Sequence, residues 1–183
     1  MRRFLRITAT ALLLGGPSLL WAEPPAPELV RSFAKAGLRT ERELKTLPDF
    51  EAPLTGGGRV SLRDYRGRVV FLNIWATWCG PCRAEMPSME FLYRRYKDRG
   101  LELLALNLQE SRREVESFMR DNKLTFPAAL DQDGSIGNRY GIRAIPTTFI
   151  LDRQGRVVLR LAGSVNWNNP DIFAAVETLL NAK

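Results

Sequence analysis

The feature that most constrains this chain is Trp78-Cys79-Gly80-Pro81-Cys82, which holds its only two cysteines. An almost purely apolar run, Val69-Val70-Phe71-Leu72-Asn73-Ile74-Trp75-Ala76, leads into it, and a helix-like pattern from Arg83 to Arg99 follows. A strand that ends in C-x-x-C and opens a helix is a redox motif. Two cysteines three apart at a helix start lie on one face, and that spacing suits the roughly 4.4–6.8 Å Cα separation of a disulfide. A helix N-terminus carries about half a positive charge, which stabilises the thiolate, the reactive form of cysteine. An inert structural bridge is the competing reading, but so short a loop constrains the unfolded chain very little.

The flanking pattern predicts α/β architecture. Val69 to Ala76 reads as a strand buried on both faces. Leu101 to Leu108 repeats it as a parallel neighbour, and the helix from Gly80 to Arg99 makes a right-handed crossover between them. Pro87 lies inside that helix and removes one hydrogen bond. Ser111 to Leu124 reads as a helix with Val115, Phe118 and Met119 inward, Phe126 to Leu130 as a short strand, and Ser135 to Tyr140 as a short helix. Asp131-Gln132-Asp133-Gly134 lacks the downstream glutamate of a calcium loop and reads as a turn. Ile142 to Leu151 is a strand whose Pro146 needs either a cis bond or the strand's first position. Arg156 to Ala162 is its antiparallel partner, and Asp171 to Leu180 closes the chain as a helix. Upstream, Phe50 to Leu54 and Arg59 to Leu62 form a hairpin around Gly56-Gly57-Gly58; no Lys-Ser/Thr follows, so this is not a phosphate loop. The sum is a mixed central sheet flanked by helices.

At Trp75-Ala76-Thr77-Trp78-Cys79-Gly80-Pro81-Cys82-Arg83-Ala84-Glu85-Met86-Pro87 the chain resembles the thioredoxin superfamily, in its TlpA/ResA branch of exported thiol–disulfide oxidoreductases. The similarity runs from about Leu47 to the C-terminus. It implies a thioredoxin fold with an N-terminal β-hairpin and an inserted unit between the CxxC motif and a cis-proline, Pro146. Cys79, first on the helix, is the expected nucleophile, and Cys82 the resolving thiol. Resolution needs a proton acceptor. Thioredoxin's buried aspartate, six residues before the first cysteine, is Asn73 here, which cannot take a proton. The branch's alternative, a glutamate three residues after the second cysteine, is Glu85. One helical turn makes it a neighbour of Cys82; its plain alternative is a surface acid favoured by the helix dipole. Trp78, Gly80, Pro81, Ile145 and Pro146 are expected to meet an extended substrate segment, with Trp75 in the core and Trp167 packing rather than touching substrate.

The resemblance also implies disulfide-containing protein substrates, such as apocytochrome c or copper-site assembly proteins. It implies a membrane thiol transporter as electron donor. Gly80-Pro81 and Ile145 are thioredoxin's choices, and thioredoxin is strongly reducing, so a reductase is expected. A disulfide oxidase or isomerase and a copper-assembly binding protein using the two thiolates are the alternatives. The related peroxiredoxin group has a threonine three residues before its reactive cysteine, and that place is Ala76.

Composition narrows the field further. The chain of 183 residues has no histidine, which removes Ser-His and Cys-His mechanisms and the commonest transition-metal ligand. No metal and no cofactor are expected. Lys and Arg number 27 against 20 acidic residues, for a net charge of +7. Arg2, Arg3 and Arg6 belong to the N-terminal segment, and Arg94-Arg95 and Arg112-Arg113 sit at helical positions beside acids, so no nucleic-acid surface is expected. Met1 to Ala22 reads as an export signal: three arginines, then an uncharged run from Ile7 to Ala22, with cleavage before Glu23. That run is short of the roughly 20 residues of a membrane span; an uncleaved signal anchor is the alternative. The expected location is the periplasm. Residues 23–47 form an N-terminal extension, with a Pro-rich linker, one helix ending near Gly37 and a second opened by a Thr40–Glu43 capping box. Residues 48–183 form the thioredoxin-like domain.

Overall fold

The computed structural model describes residues 23–182; the expected export signal at 1–22 lies outside them. In chain order the elements are α1 (Pro27–Lys35), β1 (Lys45–Thr46), the hairpin β2 (Glu51–Pro53) and β3 (Arg59–Ser61), β4 (Val69–Trp75), α2 (Gly80–Tyr96), β5 (Leu101–Leu108), α3 (Arg112–Asp121), β6 (Ala128–Asp131), α4 (Ser135–Arg139), β7 (Thr147–Leu151), β8 (Arg156–Ala162) and α5 (Pro170–Asn181). The six-stranded sheet runs β1-β8-β7-β4-β5-β6, and β2-β3 form a separate two-stranded sheet.

β4 is central and buried at every position. It pairs in parallel with β5, from Val69 opposite Leu101 to Trp75 opposite Asn107, and antiparallel with β7, where Ile74 faces Thr147. Strand alternation divides its side chains between two cores. Phe71 and Trp75 join Phe33, Met86, Met89, Val115 and Val176 on the helical side. Val70, Leu72 and Ile74 join Phe50, Val60, Tyr140 and Phe149 under the hairpin. Asn73 has the parity of Phe71 and Trp75, so it points to the side where α2 lies. The register with β7 brings Pro146, just before Thr147, alongside the end of β4 where the cysteine loop begins.

Side chains fix the connections. Ser111 and Glu114 form a capping box that starts α3. The buried Asp131 accepts from the backbone N–H groups of Ile136 (3.1 Å) and Gly137 (2.8 Å), so the Asp131–Gly134 turn launches α4. The buried Glu90 of α2 accepts from Thr125, from its N–H at 2.8 Å and its hydroxyl at 2.6 Å, and ties the α3–β6 connection to α2.

The expected second helix after Thr40 does not form. The Glu41 N–H instead donates to the Val158 carbonyl at 2.8 Å, and Lys45–Thr46 extend the sheet as β1 against Val157 and Arg156. Too few residues precede Pro48 to bury a helical face, whereas the open edge of β8 offers backbone partners at once. The later strand is also shorter than its apolar pattern: residues 142–146 reach the sheet as an irregular approach, and β7 starts only after Pro146.

The extension is part of the core. Phe33 of α1 is fully buried against α5. Phe33→Ala is expected to lower unfolding free energy by about 3–5 kcal/mol, read from urea titration; a loss below about 1 kcal/mol would mark residues 23–47 as a mere spacer.

Candidate active site

The chain leaves β4 through Ala76-Thr77-Trp78 and enters α2 at Gly80. Glu110 sits beneath this turn, accepting the Thr77 N–H at 2.7 Å, the Thr77 hydroxyl, and the Asn107 amide at 2.6 Å. Cys79 is the N-cap of α2, and its sulfur accepts the Cys82 N–H at 3.2 Å. Cys79 and Cys82 are joined as a disulfide with a Cα separation of 5.3 Å. Cys79 keeps 5% of its surface exposed and Cys82 none, so an incoming sulfur meets Cys79 first. The capping N–H and the helix dipole both favour negative charge on the Cys79 sulfur once the bond is reduced.

Ile145–Pro146 is a cis peptide, and the Ile145 carbonyl oxygen lies 3.8 Å from the Cys79 sulfur. Trp78 is 71% exposed beside it. Gly80 and Pro81 are exposed on the first turn of α2, and a side chain at Gly80 would meet nothing within 4 Å. Sequence reasoning therefore assembled residues that the fold brings to one end of the sheet: Trp78, Cys79, Gly80 and Pro81 from the β4–α2 turn, Ile145 and Pro146 from the approach to β7. Trp75, by contrast, is fully buried and stacks at a tilt on Phe118 at 5.1 Å.

Glu85 is no surface acid. It is 3% exposed, on the side of α2 that faces β4. The Asn73 amide donates to one carboxylate oxygen at 2.9 Å and to the Thr148 hydroxyl at 2.9 Å. The other oxygen receives the Trp167 indole N–H at 3.2 Å and the Val165 N–H at 3.4 Å. Burial disfavours the charged form and outweighs these three donors, so the carboxyl is pushed up from the usual 4.5 to about 7. The part of Trp167 was not legible beforehand: it stands 82 residues away in the β8–α5 loop, with no local pattern linking it to α2. Ala76, fully buried, occupies the place where a peroxiredoxin would carry its threonine hydroxyl. Among the described residues no group of three or more His, Cys, Asp or Glu is placed to hold a metal ion.

A redox-active pair at a helix N-terminus, beside a cis-proline at the same end of a mixed sheet, defines a thioredoxin-type thiol–disulfide oxidoreductase. The comparisons agree. The profile of the AhpC/TSA family matches residues 44–160. The thiol-disulfide oxidoreductase ResA of Bacillus thuringiensis subsp. konkukian is 40% identical over 119 residues, 65% of this chain and 69% of that protein. ResA of Bacillus subtilis is 38% identical over 130 residues, 71% of this chain and 73% of that one. A secreted thiol-disulfide isomerase from Corynebacterium glutamicum superposes with TM-score 0.71 at 27% identity, covering 79% of this chain and 91% of the other. A thiol:disulfide interchange protein from Chlorobium tepidum superposes with TM-score 0.67 at 25% identity over 77% and 99%. The chain belongs to the AhpC/TSA family, among its ResA-like thiol–disulfide oxidoreductases.

The raised carboxyl has a thermodynamic consequence. A group whose folded pKa exceeds its unfolded value favours the folded state at low pH, and that advantage is lost as pH rises. For Glu85 the loss runs from about 4.5 to about 7 and amounts to on the order of 3 kcal/mol. In the oxidised protein, Glu85→Gln should remove this slope. Its urea stability relative to wild type should rise across that interval and level off above pH 7.

Proposed function

We propose that this chain is an exported reductase of protein disulfides. The Cys79 thiolate attacks a substrate S–S bond, forming a mixed disulfide and releasing one substrate sulfur as a thiolate. Cys82 gives its proton to Glu85 and attacks the Cys79 sulfur. The second substrate sulfur leaves, the Cys79–Cys82 bond forms, and two electrons have passed to the substrate. Ile145 and Pro146 offer the substrate segment a backbone edge, while Trp78 forms an apolar wall.

The observation that carries this reading is a buried carboxyl one helical turn beyond Cys82, pushed to about 7. A base has most effect when it titrates near the working pH, and no histidine is present to take the role. Gly80-Pro81 and Ile145, thioredoxin's choices, support the reducing direction. The leader-like pattern of residues 1–22 supports export, as does the secreted relative. Among the described residues no helix is long and apolar enough to cross a membrane. A reductase in an oxidising compartment must be re-reduced, and a membrane thiol transporter fits that need. Candidate substrates are disulfides of apocytochrome c and of copper-site assembly proteins.

Two measurements test the proposal. The Cys79–Cys82 reduction potential should lie nearer thioredoxin, about −270 mV, than the oxidant DsbA, about −120 mV; the reverse would make the protein an oxidase. In insulin reduction Cys79→Ser should be inactive, and Cys82→Ser should accumulate the mixed disulfide. Glu85→Gln should slow the resolving step about 100-fold and erase the rate inflection near pH 7.

A further inference from the structure

The β8–α5 loop closes over Glu85 in a way that packing alone does not require. Trp167 is fully buried, edge-on to Phe71 of β4 at 5.4 Å, and could fill that space with any aromatic ring. Its indole N–H is nevertheless aimed at the carboxylate oxygen that the Val165 N–H also reaches. The backbone at Trp167 is fixed as well: its N–H donates to the Ser88 hydroxyl at 3.0 Å, and that hydroxyl donates to the Glu85 carbonyl at 2.7 Å. Loop and helix are thus tied at both the main chain and the side chain of Glu85, next to Pro87, where the helix has lost a donor. Beside this tie lies an open cleft of about 590 Å³, lined by Glu85, Pro87 and Phe91 from α2 and by Val165, Asn166 and Asn168 from the loop.

We propose that Trp167 is a positioning residue, whose indole N–H, with the Val165 N–H, favours the charged form of the Glu85 carboxyl against burial and so lets the β8–α5 loop set when that group takes or releases a proton. The inference deepens the acid–base reading of Glu85 and rests on it for its functional meaning. The other groups that bond the carboxyl or line the cleft beside it carry no charge: Asn73 from β4, with Thr148 of β7 behind it, Ser88 and Pro87 from α2, and Val165, Asn166 and Asn168 from the loop. Cys82, one helical turn before Glu85, is joined to Cys79 in the oxidised protein and does not titrate there. Burial raises the carboxyl and hydrogen bonds lower it, with no charged side chain contributing, so removing one donor has a definite sign.

The test is a carbon-13 carboxyl titration of Glu85 in the oxidised full-length protein. Trp167→Phe keeps an aromatic ring on Phe71 and deletes the N–H. The Glu85 midpoint should move upward by about one pH unit, the scale of one hydrogen bond to a charged group. An unchanged midpoint in the folded variant overturns the proposal. A second readout needs no substitution: in the wild-type protein the Trp167 indole N–H resonance should shift with the Glu85 midpoint, and the shift should vanish in Glu85→Gln. An indole resonance insensitive to pH overturns the proposal even where Trp167→Phe fails to fold. The exchange-rate profile separates this from the acid–base reading. If Glu85→Gln keeps the wild-type inflection while Trp167→Phe still moves the carboxyl titration, the acid–base role falls and the hold of Trp167 on the carboxylate stands.

Discussion

A carboxyl group lodged between α2 and β4 is the interaction to which the rest of the active end is fitted. A buried acid without partners is costly, so the fold must bring donors to Glu85 from several elements. Asn73 supplies one from β4, and the β8–α5 loop supplies two. That requirement explains an Asn in the middle of an otherwise apolar strand, and the buried indole of Trp167 against Phe71. The helix that carries Glu85 also carries the disulfide, so whatever locates the carboxyl locates Cys82 one turn away. Glu110 supports the other end of the same unit by holding the Thr77 backbone where β4 hands over to α2.

Local signals made much of this legible in the sequence. The apolar run of β4, the CxxC at its end, the helical repeat of α2 and the repeat of β5 each carry their meaning within a few residues. The reading of Pro146 needed the family resemblance, since a proline before a buried strand allows more than one geometry. What was illegible depends on distant partners. Thr40–Glu43 has the letters of a helix start, yet the free edge of β8, more than 100 residues on, takes the Glu41 N–H and pairs the following Lys45–Thr46 as β1. No spacing rule relates Glu85 to Val165 or Trp167. A glutamate on the first turns of a helix looks like a surface residue until the loop that covers it is known.

The substitution of an amide for thioredoxin's buried aspartate alters the chemistry available on β4. Two carboxyls in contact would compete for one proton and push one titration far up. With Asn73 in that place, no charged side chain among the described residues shifts Glu85, and its behaviour follows from burial against hydrogen bonds. The amide also suits both states of its neighbour. As placed, Nδ2 donates to the carboxylate and to Thr148, while Oδ1 is buried without a partner. A protonated Glu85 becomes a donor, and turning the amide over presents Oδ1 to it. A carboxylate on β4 would have no N–H to offer when Glu85 is charged. An apolar side chain would offer nothing in either state. An amide can thus serve Glu85 with and without its proton while the backbone of β4 and α2 stays where the disulfide needs it.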